Sequence, residues 1–168
     1  MRVLVTGGTG YIGSTAVEIL LTQGFDISIL DDCSMGHADT VPAGVRFIQG
    51  SLLNVDEVAN ALKGCDAVMH FAGKSLVGES VEKPDLYHLV NVDGTGILLD
   101  QMRKQAITKI VFSSSAATYG EPKVVPILET SETNPTNPYG ATKLAIDHII
   151  TAEAAAHGIS AASLRYFN

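Results

Sequence analysis

The strongest constraint on this chain is a glycine turn near its start. Residues 3–13 read VLVTGGTGYIG, which puts Gly7, Gly10 and Gly13 directly after a short apolar run. Residues 11–23 then carry apolar side chains at helical spacing, with Ile12, Ala16, Ile19 and Leu20 on one face. The glycines therefore lie between a strand and a helix. Gly7 suits the tight turn, Gly10 lets backbone approach a pyrophosphate, and Gly13 lets the helix pack on the strand. A helix N-terminus adds free N–H groups and partial positive charge for phosphates. Glycines that serve only the corner are the plainer alternative. Asp31, followed by Asp32, favours the dinucleotide site, because it ends the second strand ~20 residues past the turn, where an acid meets the adenosine ribose. A carboxylate there repels a 2′-phosphate, and no Arg or Lys lies between Arg2 and Arg46 to offset it. The expected cofactor is NAD, with NADP as the alternative.

The rest of the chain alternates strand and helix patterns. Residues 27–30, 45–48, 67–71, 110–113 and 159–166 read as the second to sixth strands. Helices are expected over 11–23, 55–63, from Pro84 to about Gln105, and from Asn137-Pro138 to about His157. The strands are continuous apolar runs, as strands buried on both faces are. The expected fold is α/β, a doubly wound parallel sheet (a Rossmann fold) with helices on both faces. Residues 114–137 hold four of the prolines and glycines that break structure, Gly120, Pro122, Pro126 and Pro135, and read as a functional loop.

With 168 residues, 46% hydrophobic and 17% charged, the chain suits one folded domain. Eleven basic against eighteen acidic residues give a net charge of −7, which disfavours nucleic acid. No apolar run reaches the ~18 residues of a membrane span. Cys33 and Cys65 lack metal or CxxC spacing and read as reduced thiols of a cytoplasmic protein. His37, His70, His88, His148 and His157 are dispersed, so no metal site is expected.

A second constellation follows the fifth strand. Ser113-Ser114-Ser115 places hydroxyls where the sheet opens toward a ligand. Tyr139 and Lys143 lie four apart and share a helix face. A tyrosine with its ordinary pKa of ~10 is a poor base at neutral pH, and a neighbouring ammonium favours its phenolate. Tyr139 would then take a proton from a substrate hydroxyl, with Ser115 hydrogen-bonded to the same oxygen. Alone, each pattern is ordinary surface or loop chemistry. In this order behind a dinucleotide turn, they read as one site.

These residues resemble the extended short-chain dehydrogenase/reductase family, and within it the nucleotide-sugar 4-epimerases. The resemblance rests on TGGTGYIG at 6–13, LDD at 30–32, HFAG at 70–73, LVGES at 76–80, NVDGT at 91–95, FSSSAATYGEP at 112–122, NPYGATK at 137–143 and LRYFN at 164–168. It implies Ser115, Tyr139 and Lys143 as the catalytic set. It implies a cofactor site built from Gly7, Gly10, Tyr11, Ile12, Gly13, Asp31, Asp32, Ser51, Leu52, Phe71, Ala72, Gly73, Asn91, Ser113, Tyr139, Lys143 and Phe167. The implied activity is interconversion of UDP-glucose and UDP-galactose through transient hydride transfer to NAD. A reductase, a 4,6-dehydratase or an inactive NAD-binding fragment are the alternatives. Dehydratases of this kind carry Asp-Glu after the catalytic hydroxyl, where this chain has Ala116-Ala117. Ser51 replaces an expected Asp, Ser75 an expected Lys, and Val90 an Asn. The family continues past this point into a substrate domain, so the chain is expected to be the cofactor domain alone and to turn over weakly. Leu98, Leu99, Ile149 and Ile150 suggest either a dimer through the two long helices or burial against the sheet.

Overall fold

The computed structural model describes residues 1–167. Six strands form one parallel sheet in the order β3-β2-β1-β4-β5-β6. They are β1 (Arg2–Thr6), β2 (Asp26–Asp31), β3 (Arg46–Gln49), β4 (Ala67–His70), β5 (Lys109–Ser115) and β6 (Ser160–Tyr166). The central strand β1 pairs with β2 on one side and β4 on the other, with Val5 opposite both Ile29 and Met69. The chain changes direction across the sheet at this point, which is where open α/β sheets form a ligand crevice.

Three helices cover one face: α2 (Val55–Leu62), α5 (Gly94–Lys104) and α6 (Pro138–His157). Leu4, Leu30, Val68 and Phe112 from the sheet meet Val58, Leu62, Leu98, Leu99, Met102, Ile146 and Ile150 there. Burying each such side chain contributes about 1.5–3 kcal/mol. Leu98, Leu99 and Ile150 thus lie in the chain's own core, and Ile149 packs against it. Ile149 is only partly buried. The other face carries α1 (Tyr11–Thr22), whose Val17 packs on Val3, Val5, Ile27 and Ile29.

Capping residues explain the helix starts. Asn54 accepts from Asp56 N and Glu57 N to open α2, and Asn137 accepts from Gly140 N to open α6. Gly158, at φ +69°, ends α6.

The helix expected from Pro84 is not uniform. It comprises α4 (Pro84–Tyr87), a π-helical turn (His88–Asp93) and α5. A further short helix, α3 (Val77–Glu82), precedes it. Strand β5 runs two residues beyond its expected end and carries Ser114 and Ser115 within the sheet, followed by a 3-10 turn (Ala116–Tyr119). The irregular segment is therefore shorter than 114–137. Asn168, the last residue of the LRYFN motif, lies outside the described residues.

Candidate active site

A cleft of about 910 Å³ opens along the carboxyl ends of the strands. One end is lined by Gly7, Gly10, Tyr11, Ile12 and Gly13 of the turn, Asp31 and Asp32 after β2, and Ser51 and Leu52 after β3. Phe71, Ala72 and Gly73 form the middle of the wall, and Ser113, Ser115, Tyr139, Lys143 and Phe167 line the rest. Of the expected site residues, Asn91 alone does not line the cleft. It is 2% exposed. Its side-chain Oδ1 accepts from Lys74 N at 2.8 Å, and its Nδ2 donates to Lys74 O and Thr142 Oγ1. It therefore braces the wall from behind.

The glycine turn is shaped by contact as much as by conformation. Gly7 has φ +71°, and a Cβ on it would stand 2.6 Å from Ala72 N. A Cβ on Gly10 would meet only Gly7 O, at 3.5 Å. Gly10 begins α1 without a side-chain cap, and the first turn has no acidic residue. The two asparagine-capped helices satisfy their first N–H groups from within, whereas α1 leaves its own directed at the cleft.

Asp31 has a structural duty that its position in the sequence does not show. Its Oδ2 accepts from Thr9 N and its Oδ1 from Cys33 N, both at 2.9 Å. The carboxylate thus ties the glycine turn to the end of β2. Asp32 is exposed and accepts from Ser34 N. Ser51 donates its backbone N–H to Glu57 Oε2 at 2.7 Å.

At the opposite end, Lys143 is 5% exposed. Its Nζ donates to Ser113 O and lies 4.9 Å from the centre of the Phe112 ring and 5.8 Å from that of Tyr139. Burial pushes its pKa down to about 8, and Asp147, one turn further along α6, opposes that shift. Ser115 Oγ accepts from Ala117 N and so starts the 3-10 turn. Asp147 Oδ2 accepts from Ser114 Oγ and from Arg165 Nε, while Arg165 also donates to Tyr119 Oη. These contacts hold α6, β5 and β6 together just below Ser115, Lys143 and Phe167. The arrangement can bind an anionic dinucleotide and hold a proton-transfer group beside a buried cation.

Several lining residues escaped the sequence reading, among them Met35, Leu76, Val77, Glu79 and Tyr166. Glu79 was visible within the LVGES motif but had no assigned role. Hydrogen bonds from Lys83 and Tyr87 hold its carboxyl below the usual range. Lys74, beside Ser75, also lines the cleft, with its Nζ 3.8 Å from Glu79 Oε2.

Residues 3–168 match the NAD dependent epimerase/dehydratase family. A UDP-glucose 4-epimerase of Corynebacterium glutamicum is 54% identical over the whole chain, which covers 51% of that protein. The crystal structure of a UDP-glucose 4-epimerase from Brucella ovis in complex with NAD superimposes with a TM-score of 0.96 at 42% identity, over 99% of this chain and 52% of that one. A Stenotrophomonas maltophila UDP-glucose-4-epimerase with bound NAD and formylated UDP-arabinopyranose gives a TM-score of 0.96 at 37% identity, over 100% and 53%. The chain spans about half the length of the curated relatives it matches.

Proposed function

The chain belongs to the NAD dependent epimerase/dehydratase family, and from that premise we propose that residues 1–168 form the NAD-binding domain of a nucleotide-sugar 4-epimerase that interconverts UDP-glucose and UDP-galactose. The observation that carries this reading is a single cleft lined by an uncapped helix N-terminus at one end and by Ser115, Tyr139 and Lys143 at the other.

NAD fits the chain's own groups. The open space at Gly10 and the free N–H groups of α1 suit a pyrophosphate. The Asp31 carboxylate suits ribose hydroxyls and disfavours a 2′-phosphate. When bound, NAD supplies a hydride acceptor and donor for the sugar carbon. Tyr139 takes the proton of the sugar hydroxyl and returns it. Lys143 stabilises the phenolate by its charge, and Ser115 donates a hydrogen bond to the same sugar oxygen.

The methyl groups of Ala116 and Ala117 favour epimerisation over dehydration, because they line the cleft where elimination of water would need an acid and a base. Two free thiols support a cytoplasmic setting. No helix among the described residues is long and apolar enough to cross a membrane. A homodimer through the outer faces of α5 and α6 belongs to the same reading. Its support is the exposed, small Ala152 and Ala155 on α6, which would admit a close neighbour.

The test is product identity. With NAD and UDP-galactose, the protein is expected to form UDP-glucose without net NADH, and slowly as residues 1–168 alone. A 4-keto or deoxy product overturns the assignment.

A further inference from the structure

Behind the cleft wall, His70 joins two parts of the site that are distant in sequence. It ends β4, is 1% exposed and does not line the cleft. Its Nδ1 lies 2.7 Å from Thr6 Oγ1, and its Nε2 lies 2.9 Å from Thr95 Oγ1. The neighbours fix the direction of both bonds. Thr95 Oγ1 donates its one proton to Asn91 O at 2.5 Å. Toward His70 it can only accept, so Nε2 carries the ring proton. Nδ1 then accepts from the Thr6 hydroxyl, whose oxygen accepts from Ala72 N at 3.3 Å. Donors point one way along the whole series: Ala72 N–H, Thr6, His70, Thr95, and finally the Asn91 carbonyl.

Both ends of that series touch the site. Ala72 N is the atom that a Cβ on Gly7 would strike. Asn91 grips both backbone polar groups of Lys74 and the hydroxyl of Thr142, next to Lys143. A protonated imidazole would reverse the first half of the series. Nδ1 would donate toward a hydroxyl that already accepts from Ala72, and the Thr6 proton would lose its acceptor in a dry pocket. Phe112 separates the ring from a second cation. Its centroid is 5.6 Å from that of His70 and 4.9 Å from Lys143 Nζ. Burial, reinforced by that charge, lowers the His70 pKa to about 3.

We propose that His70 is a positioning residue: as a neutral, Nε2-protonated imidazole it sets the register between the glycine turn, the 72–74 segment and the helix that carries Tyr139 and Lys143. The site it positions is the NAD site proposed above.

Two measurements on the 168-residue chain test this. Imidazole ¹⁵N spectra should show His70 neutral and Nε2-protonated at pH 6, its signals assigned by their loss in His70→Asn. A cationic or Nδ1-protonated ring overturns the proposal. His70→Phe keeps a ring but removes both bonds. It is expected to accelerate hydrogen exchange at Ala72 and Lys74 N–H and to weaken NAD binding, each by about tenfold, the equivalent of one hydrogen bond. Amides of α2 should keep their protection, which general destabilisation would not allow. His70→Gln, which can still donate toward Thr95, should recover part of the loss. Unchanged exchange at Ala72 and Lys74 in His70→Phe overturns the proposal. If the parent chain binds no NAD, the cofactor reading fails, while the tautomer and exchange results still decide the role of His70.

Discussion

Lys143 donates from Nζ to the carbonyl oxygen of Ser113 at 2.8 Å. The ammonium is thereby fixed on β5 rather than free to follow the Tyr139 phenol, and its charge is held in a buried setting where it is readily lost. With its pKa at about 8, the charge disappears as pH rises through that value. A reaction that needs the cation beside Tyr139 should lose rate above about pH 8. Stability responds with the opposite sign. Between about 8 and the ordinary 10.5, the unfolded chain binds more protons at this residue than the folded chain, so unfolding free energy rises with pH. Denaturation from pH 7.5 to 10 should show that rise in the parent relative to Lys143→Met. Parallel curves for the two proteins would refute it.

Tyr139→Phe keeps the ring that lines the cleft and removes the hydroxyl. We expect NAD affinity to be retained and turnover of UDP-galactose to fall by ~10²–10⁴, the usual contribution of a positioned base. Activity within tenfold of the parent would assign the proton transfer elsewhere.

Gly7 and Gly10 should separate folding from binding. Gly7→Ala places a methyl group 2.6 Å from Ala72 N at φ +71°, and strain of this kind costs about 1–3 kcal/mol. Gly10→Ala meets no such contact and has an ordinary φ of −80°. It should leave the thermal midpoint unchanged and abolish NAD binding, because its methyl group occupies the approach to the helix N-terminus. Calorimetry of both variants with and without NAD checks the contrast.

Asp31→Asn turns one of two N–H acceptors into a donor facing an N–H group. A loss of about 1–3 kcal/mol in stability is expected. Preference for NAD over NADP should fall as well, because the repelling charge is gone. Urea titration and paired cofactor binding curves measure the two effects.

Much of this molecule was legible in its sequence. Local backbone chemistry specifies β1, the glycine turn and α1, and apolar runs identify the strands up to β5, whereas β6, SAASLRY, is rich in Ala and Ser and largely exposed. What escaped depends on distant contacts. Helix α3 is only six residues long, too short for an apolar period to stand out, and its Val77 and Val81 are exposed rather than packed in the core. The π-helical turn interrupts an otherwise regular pattern where Asn91 reaches Lys74 and Thr142, partners far away in sequence. The dispersed histidines read as ordinary residues, and the partners of His70 on β1 and α5 emerge only when three elements meet. Leu98, Leu99 and Ile150 showed the reverse ambiguity: an apolar helix face looks the same whether it meets a sheet or another molecule.

The strand order has a consequence for how the protein is made. The turn at Gly7 leans on Ala72, and Asp31 has both its N–H partners within residues 9–33. The sheet face beneath this end of the cleft is covered by α5, which also carries Thr95, so this end is complete only once α5 has left the ribosome, since segments delivered first can fold first. The end with Ser115, Tyr139 and Phe167 must wait for β5, α6 and β6. During synthesis, a nascent chain would pass through a stage able to hold the adenosine portion of a dinucleotide while still unable to react, and binding at that stage would favour docking of the later segments.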